Sequence, residues 1–256
     1  MPERDAAPRR LRRAEAVLAR RTGRLLLVLE RCSDEHNRLA VLRPAEALGV
    51  QRVALVEGVG RASEAMSKGV TRGAAQWLDL RRFRDPSACV ATLKEEGWTI
   101  WATDLSPSAE SAEPSSLAPL PAKLALIFGR ETDGVSEEAL AAADRRLYLP
   151  TVGFMESLNL SVAAALLLQR LFDACPEMRG DLSASERAVI RARWYRRLAG
   201  GKQPARFDGW LVNPPPPLEE LRLPPELRMP RLKTRAQRAL GMRPAQRLQN
   251  PGSPLA

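Results

Sequence analysis

Between residues 25 and 150 short apolar runs alternate with segments of helical spacing. The runs LLLVLE (25–30), RVALVEG (52–58), QWLDL (76–80), WTIWATD (98–104), KLALIFG (123–129) and RLYLP (146–150) read as strands, with helices predicted at 37–48, 62–69, 86–96 and 136–144. Several runs are apolar on both faces, which predicts an α/β fold whose parallel sheet is covered on each side. Ligands of such sheets bind at the carboxyl ends of the strands. The Ser- and Pro-rich stretch 106–122 reads as a surface loop, and 157–173 as a strongly apolar helix in which Ala163, Ala164 and Ala165 allow another element to approach closely. A basic helix is predicted at 183–198.

Segment 8–21 places Leu11, Ala14, Val17 and Leu18 at helical spacing among arginines, a basic amphipathic helix. Beyond Gly200 lie 11 of the 21 prolines, so 201–256 reads as an extended, flexible, Pro/Arg-rich tail. The chain of 256 residues is thus expected to divide into a basic N-terminal helix (1–24), an α/β domain (25–175), a C-terminal helix (176–200) and the tail.

Charge sharpens this division. Residues 1–24 hold 8 basic and 3 acidic side chains, 25–178 hold 16 and 21, and 179–256 hold 16 and 6. A mildly acidic core between two basic arms suits a polyanion, RNA or DNA, over the alternative of a merely solubilising surface. Arg9, Arg10, Arg12, Arg13, Arg20 and Arg21 are the candidate backbone contacts. The three cysteines are far apart and His36 is the only histidine, which argues against a disulfide framework, a Cys/His zinc site and most histidine-assisted nucleophiles. No run of eighteen apolar residues and no signal-like N-terminus is present, so a cytoplasmic protein is expected.

Three polar constellations sit where strands end. Asn37 and Arg43 lie on the first helix of the sheet, Asn37 with the alternative of a helix cap and Arg43 interrupting core-facing positions. Gly129, Glu131 and Gly134 form a turn whose glycines let a ligand approach backbone amides. Ser157, Asn159 and Ser161 open an otherwise apolar helix, more polar groups than one cap requires.

In this order N-x-x-A-x-x-R (37–43), F-G-x-E-x-x-G (128–134) and L-P-x-x-G-x-x-x-S-L-N-x-S-x-A-A-A (149–165) resemble the three motifs of the SpoU/TrmH branch of SPOUT RNA 2′-O-methyltransferases. The resemblance covers roughly residues 8–175. It implies a Rossmann-like sheet with a C-terminal deep trefoil knot, a homodimer, S-adenosylmethionine held near Thr103, Gly129, Leu149 and Leu158, and catalysis by Arg43 with Asn37, Glu131, Ser157 and Asn159. Because only a basic helix precedes the first motif, it is most similar to members acting on guanosine 18 of tRNA. Another tRNA position, ribosomal RNA or a non-catalytic RNA-binding role are the alternatives. The chain departs from the family pattern at Pro44, where threonine is usual, and at Glu156, where glutamine is frequent.

Overall fold

A computed structural model of the chain describes residues 7–32, 34–57, 73–200 and 203–222. Seven strands, β1 (Thr22–Glu30), β2 (Val50–Val56), β3 (Asp79–Phe83), β4 (Thr99–Thr103), β5 (Glu110–Ser111), β6 (Leu124–Phe128) and β7 (Arg145–Tyr148), form one sheet of order β3-β2-β1-β6-β4-β7-β5. Every neighbouring pair is parallel. The helices of the described residues are α1 (Arg9–Leu18), α2 (Glu35–Leu48), α3 (Pro86–Glu95), α4 (Pro114–Leu117), α5 (Glu137–Ala142), α6 (Leu160–Ala174), α7 (Ala184–Ala199) and α8 (Gly209–Val212). The helix expected at 62–69 lies outside the described residues.

The period-2 alternation of a strand explains the two-sided core. Leu25, Leu27 and Leu29 of β1 pack with Val41 and Leu42 of α2 and with Leu168 and Leu171 of α6, whereas Leu26 and Val28 point the other way, onto Val90 and Leu93 of α3 and Ala139 of α5. All five residues of β6, the neighbour of β1, are buried. Burying one such leucine is worth about 1.5–3 kcal/mol, and this central apolar pair is the rigid floor from which the loops at its carboxyl end project.

Two local readings are corrected. The run at 76–80 is not the strand: Gly73–Trp77 is a 3-10 turn and the strand starts at Asp79. β3 is an edge strand bearing Arg81 and Arg82, none of whose residues is fully buried, so apolarity does not mark it. Within the expected loop 106–122, Glu110 and Ser111 pair with Leu147 and Tyr148 of β7.

Helix α2 starts where Asp34 accepts from the His36 backbone N–H and ends at Gly49, φ +107°, where a Cβ would stand 2.8 Å from the Arg20 carbonyl. It runs unbroken through Pro44.

The terminal helices build a third cluster. Leu11 and Leu18 of α1 pack with Ile190, Trp194 and Tyr195 of α7 and with Phe207. A capping box of Ser183 and Glu186 starts α7, and Glu186 also pairs with Arg52 of β2 while Arg193 pairs with Asp79 of β3. The expected tail therefore begins later than residue 201: Phe207 is buried, the Leu218 N–H donates to the Arg12 carbonyl, and Arg12 Nε donates to the Pro216 carbonyl. By its contacts the chain divides into Met1–Leu218 and Glu219–Ala256. In the second unit Arg222 pairs with Glu220; residues 223–256 lie outside the described residues.

Candidate active site

A cavity of about 680 Å³ opens at the carboxyl ends of β4, β6 and β7, where a parallel sheet is expected to hold its ligand and within the roughly 300–1,000 Å³ usual for small-molecule sites. Its lining brings together Thr103, Gly129, Glu131, Leu149, Ser157, Leu158 and Asn159 from segments up to 56 positions apart. Asp104, Arg130, Asp133 and Glu156 also face it, giving four carboxylates with Glu131 against one guanidinium.

Local chemistry explains each wall. The turn after β6 is closed by reciprocal backbone bonds between Arg130 and Gly134, both 3.0 Å. A Cβ on Gly129 would stand 2.0 Å from the carbonyl of Gly134, so only glycine permits this closure. Gly134 itself has φ +68°. At the end of β4 the Thr103 hydroxyl donates to the Ile127 carbonyl at 3.2 Å. Although burial acts in the opposite direction, hydrogen bonds from the Ser106 side chain and backbone hold the Asp104 carboxyl below the usual carboxylate range, so the rim stays anionic. Thr132, with Arg130 and Arg31 nearby, does the same for Asp133.

The third wall begins in the exposed segment 151–159 and enters α6. Asn159 caps that helix, its Oδ1 accepting from Ser161 N at 3.0 Å and Ser161 Oγ at 2.7 Å. The polar cluster at this helix start thus divides into a cap formed by Asn159 and Ser161 and an exposed Ser157 facing the cavity.

Asn37 and Arg43 part company. Asn37 does not cap α2; Asp34 does, and Asn37 Nδ2 donates to Glu131 Oε1 at 2.7 Å. That bond spans 94 positions and joins the first polar constellation to the second. Arg43 is exposed on α2, outside the lining of this cavity and without a hydrogen-bond or ion-pair partner among the described residues. His36 is exposed and not among the lining residues. Burial pushes the Cys32 thiol up to about 11 and the Cys89 thiol up to about 12, so neither offers a thiolate nucleophile near neutrality. Among the described residues no group of three His, Cys, Asp or Glu could hold a metal ion, and no helix is long and apolar enough to cross a membrane.

The six arginines of the basic arm differ sharply. Arg21 is corrected: it is fully buried, donating to Glu46 and to the Val50 carbonyl at 2.7 Å with its guanidinium 5.3 Å from the Trp194 ring, and cannot meet a polyanion. Arg10 is half-buried over Phe207 and donates to the Leu198 carbonyl. Arg9 and Arg12 are partly exposed, and Arg13 and Arg20 exposed. Glu30 and Arg31, beneath the turn, escaped the sequence reading, although a carboxylate closing the apolar run LLLVLE was a visible signal.

A family model described as the SpoU rRNA Methylase family matches residues 24–169. A protein of Borreliella burgdorferi called tRNA (guanosine(18)-2'-O)-methyltransferase is 32% identical over 193 residues, which cover 75% of this chain and 86% of that protein. One of the same name from Thermus thermophilus is 38% identical over 165 residues, 64% of this chain and 82% of its own. The crystal structure of the A. aeolicus TrmH/SpoU tRNA modifying enzyme aligns with a TM-score of 0.61 at 29% identity, covering 72% of this chain and 92% of that one. The matched span runs from the start of β1 into α6 and contains all three constellations and the whole cavity wall, so the chain belongs to the SpoU rRNA Methylase family.

Proposed function

We propose that the protein transfers the methyl group of S-adenosylmethionine to a ribose 2′-hydroxyl of RNA, with guanosine 18 of tRNA as the target. The observation that carries this reading is the convergence of the segments that follow β4, β6 and β7 on one cavity at the strand ends, with Asn37 of the first constellation joined to its wall by the bond to Glu131. The residues fit the donor: the Gly129 turn presents backbone where a Cβ has no room, and the carboxylate-rich lining suits a sulfonium cation. When bound, S-adenosylmethionine supplies an activated methyl electrophile. Thr103, Gly129, Leu149 and Leu158 line its place, and Glu131, Ser157 and Asn159 shape the space beside it.

A ribose hydroxyl is a weak nucleophile and needs alignment and polarisation. Arginine stays protonated, so Arg43 serves by polarising the hydroxyl and holding the adjacent phosphate rather than as a free base. Its exposure outside its own chain's cavity fits a homodimer in which it completes the site of the second copy. Exposed Val152, Phe154 and Met155, followed by Val162 and Leu166 on α6, supply the apolar surface such a dimer would cover. The same reading carries a trefoil knot, supported by β7 entering the sheet between β4 and β5, two strands laid down before it. Arg9, Arg12, Arg13 and Arg20 on or beside α1 remain the proposed RNA backbone contacts, and an RNA substrate of this kind fits a cytoplasmic protein.

Arg43→Ala tests the mechanism. Methyl transfer to tRNA transcripts should fall at least about a thousandfold, while calorimetry shows unchanged binding of S-adenosylmethionine. Wild-type-like turnover would remove Arg43 from the chemistry.

A further inference from the structure

The reaction described above leaves a buried carboxylate at the end of β1 without a role. Glu30 ends β1, is 1% exposed and does not line the cavity. Its two oxygens accept from the Ser136 backbone N–H at 3.2 and 3.3 Å, and Ser136 is the cap of α5. Its Oε1 also lies 3.0 Å from Arg31 Nε, an ion pair whose N–H is not aligned well enough to be a hydrogen bond. Arg31 carries the charge onward: its Nη2 stands 3.4 Å from Asp133 Oδ2, and Asp133 Oδ1 stands 3.3 Å from Arg130 Nε. Charges therefore alternate from the start of α5, under the end of β1, into the turn that forms the cavity wall.

Arg31 is also the one non-glycine residue with positive φ, +52°, among the described residues. That conformation is strained for an arginine and free of strain for a glycine. Local backbone geometry thus favours glycine at this position; what only the arginine supplies is a guanidinium between Glu30 and Asp133.

We propose that Glu30 and Arg31 form a latch that fixes the 129–136 turn before the methyl donor and RNA arrive. With the Asn37 bond to Glu131, the turn is then held from the β1–α2 side at three points, residues 131, 133 and 136. Glu30 and Arg31 are positioning residues: they touch neither donor nor ribose, and act by keeping Glu131 and the Gly129 backbone in one geometry. The latch rests on the methyltransferase reading for its consequence, but its effect on the turn can be measured without turnover.

The test uses the full chain and the variants Arg31→Gly, Arg31→Lys, Asp133→Asn and the Arg31→Gly/Asp133→Asn double. Arg31→Gly relieves the backbone but leaves the buried Glu30 carboxylate without its cation, so its thermal midpoint should fall by several degrees with the protein still folded at assay temperature. Amide hydrogen exchange of residues 130–136 without cofactor should nevertheless quicken, and the calorimetric Kd for S-adenosylmethionine should rise, each by about fivefold or more. In methyl-transfer assays kcat should fall with the RNA KM unchanged. Arg31→Lys should recover part of each loss, and the turn of the double variant should exchange no faster than that of Arg31→Gly alone, because both break the same link. Unchanged exchange and cofactor affinity in a folded Arg31→Gly protein, or additive increases of exchange in the double, overturn the latch. If Arg31→Gly fails to fold, the cofactor-free exchange rates of Asp133→Asn decide in its place. Should the wild type methylate no RNA, the functional reading fails and the exchange rates still decide the latch.

Discussion

Helix α1 is held by a buried ion pair as well as by its apolar stripe, and Glu15→Ala separates the two contributions. Glu15 is 8% exposed and sits on the face of α1 that meets α7. Its carboxylate takes both Nε and Nη2 of Arg191 at 2.8 Å and the Tyr195 hydroxyl at 2.8 Å. The hydrogen bonds to Glu15 hold the Arg191 guanidinium above its usual range, and burial followed by the bond to Glu15 pushes the Tyr195 hydroxyl up from its ordinary value. Alanine removes three hydrogen bonds at once and strands a guanidinium whose side chain is 16% exposed. Breaking a buried pair from one side costs about 3–5 kcal/mol, and the residual access of Arg191 to water favours the lower end, about 3 kcal/mol. For a folded unit of this size that corresponds to a fall in Tm of about 6–12 °C. Glu15→Gln keeps an acceptor and the volume and should lose about 1–2 kcal/mol. Differential scanning calorimetry gives the midpoint, and hydrogen exchange shows whether the loss is global or confined to the opening of α1 away from α7. The ordering wild type, Gln, Ala is the prediction. If Glu15→Ala melts within about 1 °C of wild type and α1 amides exchange no faster, Leu11 and Leu18 against Trp194 hold the helix alone and the ion pair contributes nothing.

The same cluster sets an alkaline limit: a folded Tyr195 pKa above its unfolded value of 10.0 contributes stability below pH 10 that is lost as pH rises beyond it, so Tyr195→Phe should flatten the alkaline limb of a stability–pH curve. Glu186 acts at the acid end. The Ser183 hydrogen bonds and then Arg52 hold its carboxyl below 4.5, so its contribution is present above pH 4.5 and disappears as pH falls; Glu186→Gln should be less sensitive to acid than wild type, and an identical acid limb would remove both partners from the account. Gly129→Ala should weaken S-adenosylmethionine at least tenfold by calorimetry, about 1.4 kcal/mol, because its Cβ meets the Gly134 carbonyl carbon and oxygen at 2.0 Å; undiminished affinity would mean that the turn opens without penalty.

How much of this was legible in the sequence depended on whether burial or contact decided each element. β1, β2 and β6 announce themselves because both of their faces are covered, and a continuous apolar run leaves little alternative. β3 hides for the opposite reason: at the sheet edge its side chains need only half-burial, so Arg81 and Arg82 interrupt the run while backbone pairing with β2 still holds the strand. β5 is two residues long and exists only because β7 offers it an edge, which no local composition encodes. Arg21 misleads most instructively. In the sequence it is one of many arginines on a basic segment, and only the folded chain shows the Val50 carbonyl, Glu46 and the Trp194 ring closing around it.

The site follows the same logic at a finer scale. Glycine at 129 and a carboxylate at 131 were readable as a ligand-facing turn, because the conformational freedom of glycine and the charged residues that directly follow a buried strand are properties of the local sequence. What the sequence leaves ambiguous is a side chain with several possible partners. Asn37 had the competing use of a helix cap, and the contest is decided three residues earlier, where Asp34 takes the His36 N–H and frees the Asn37 amide for Glu131. Asn159 goes the other way, committing its Oδ1 to Ser161 and to the start of α6. Two asparagines near helix starts thus serve opposite ends, one tying distant segments together and one shaping the local backbone, and the difference lies in which competing acceptor stands nearby. Polar residues in a fold of this kind acquire function by release from capping as much as by their own chemistry, which is why the Asn37–Glu131 bond, rather than either residue alone, marks the site.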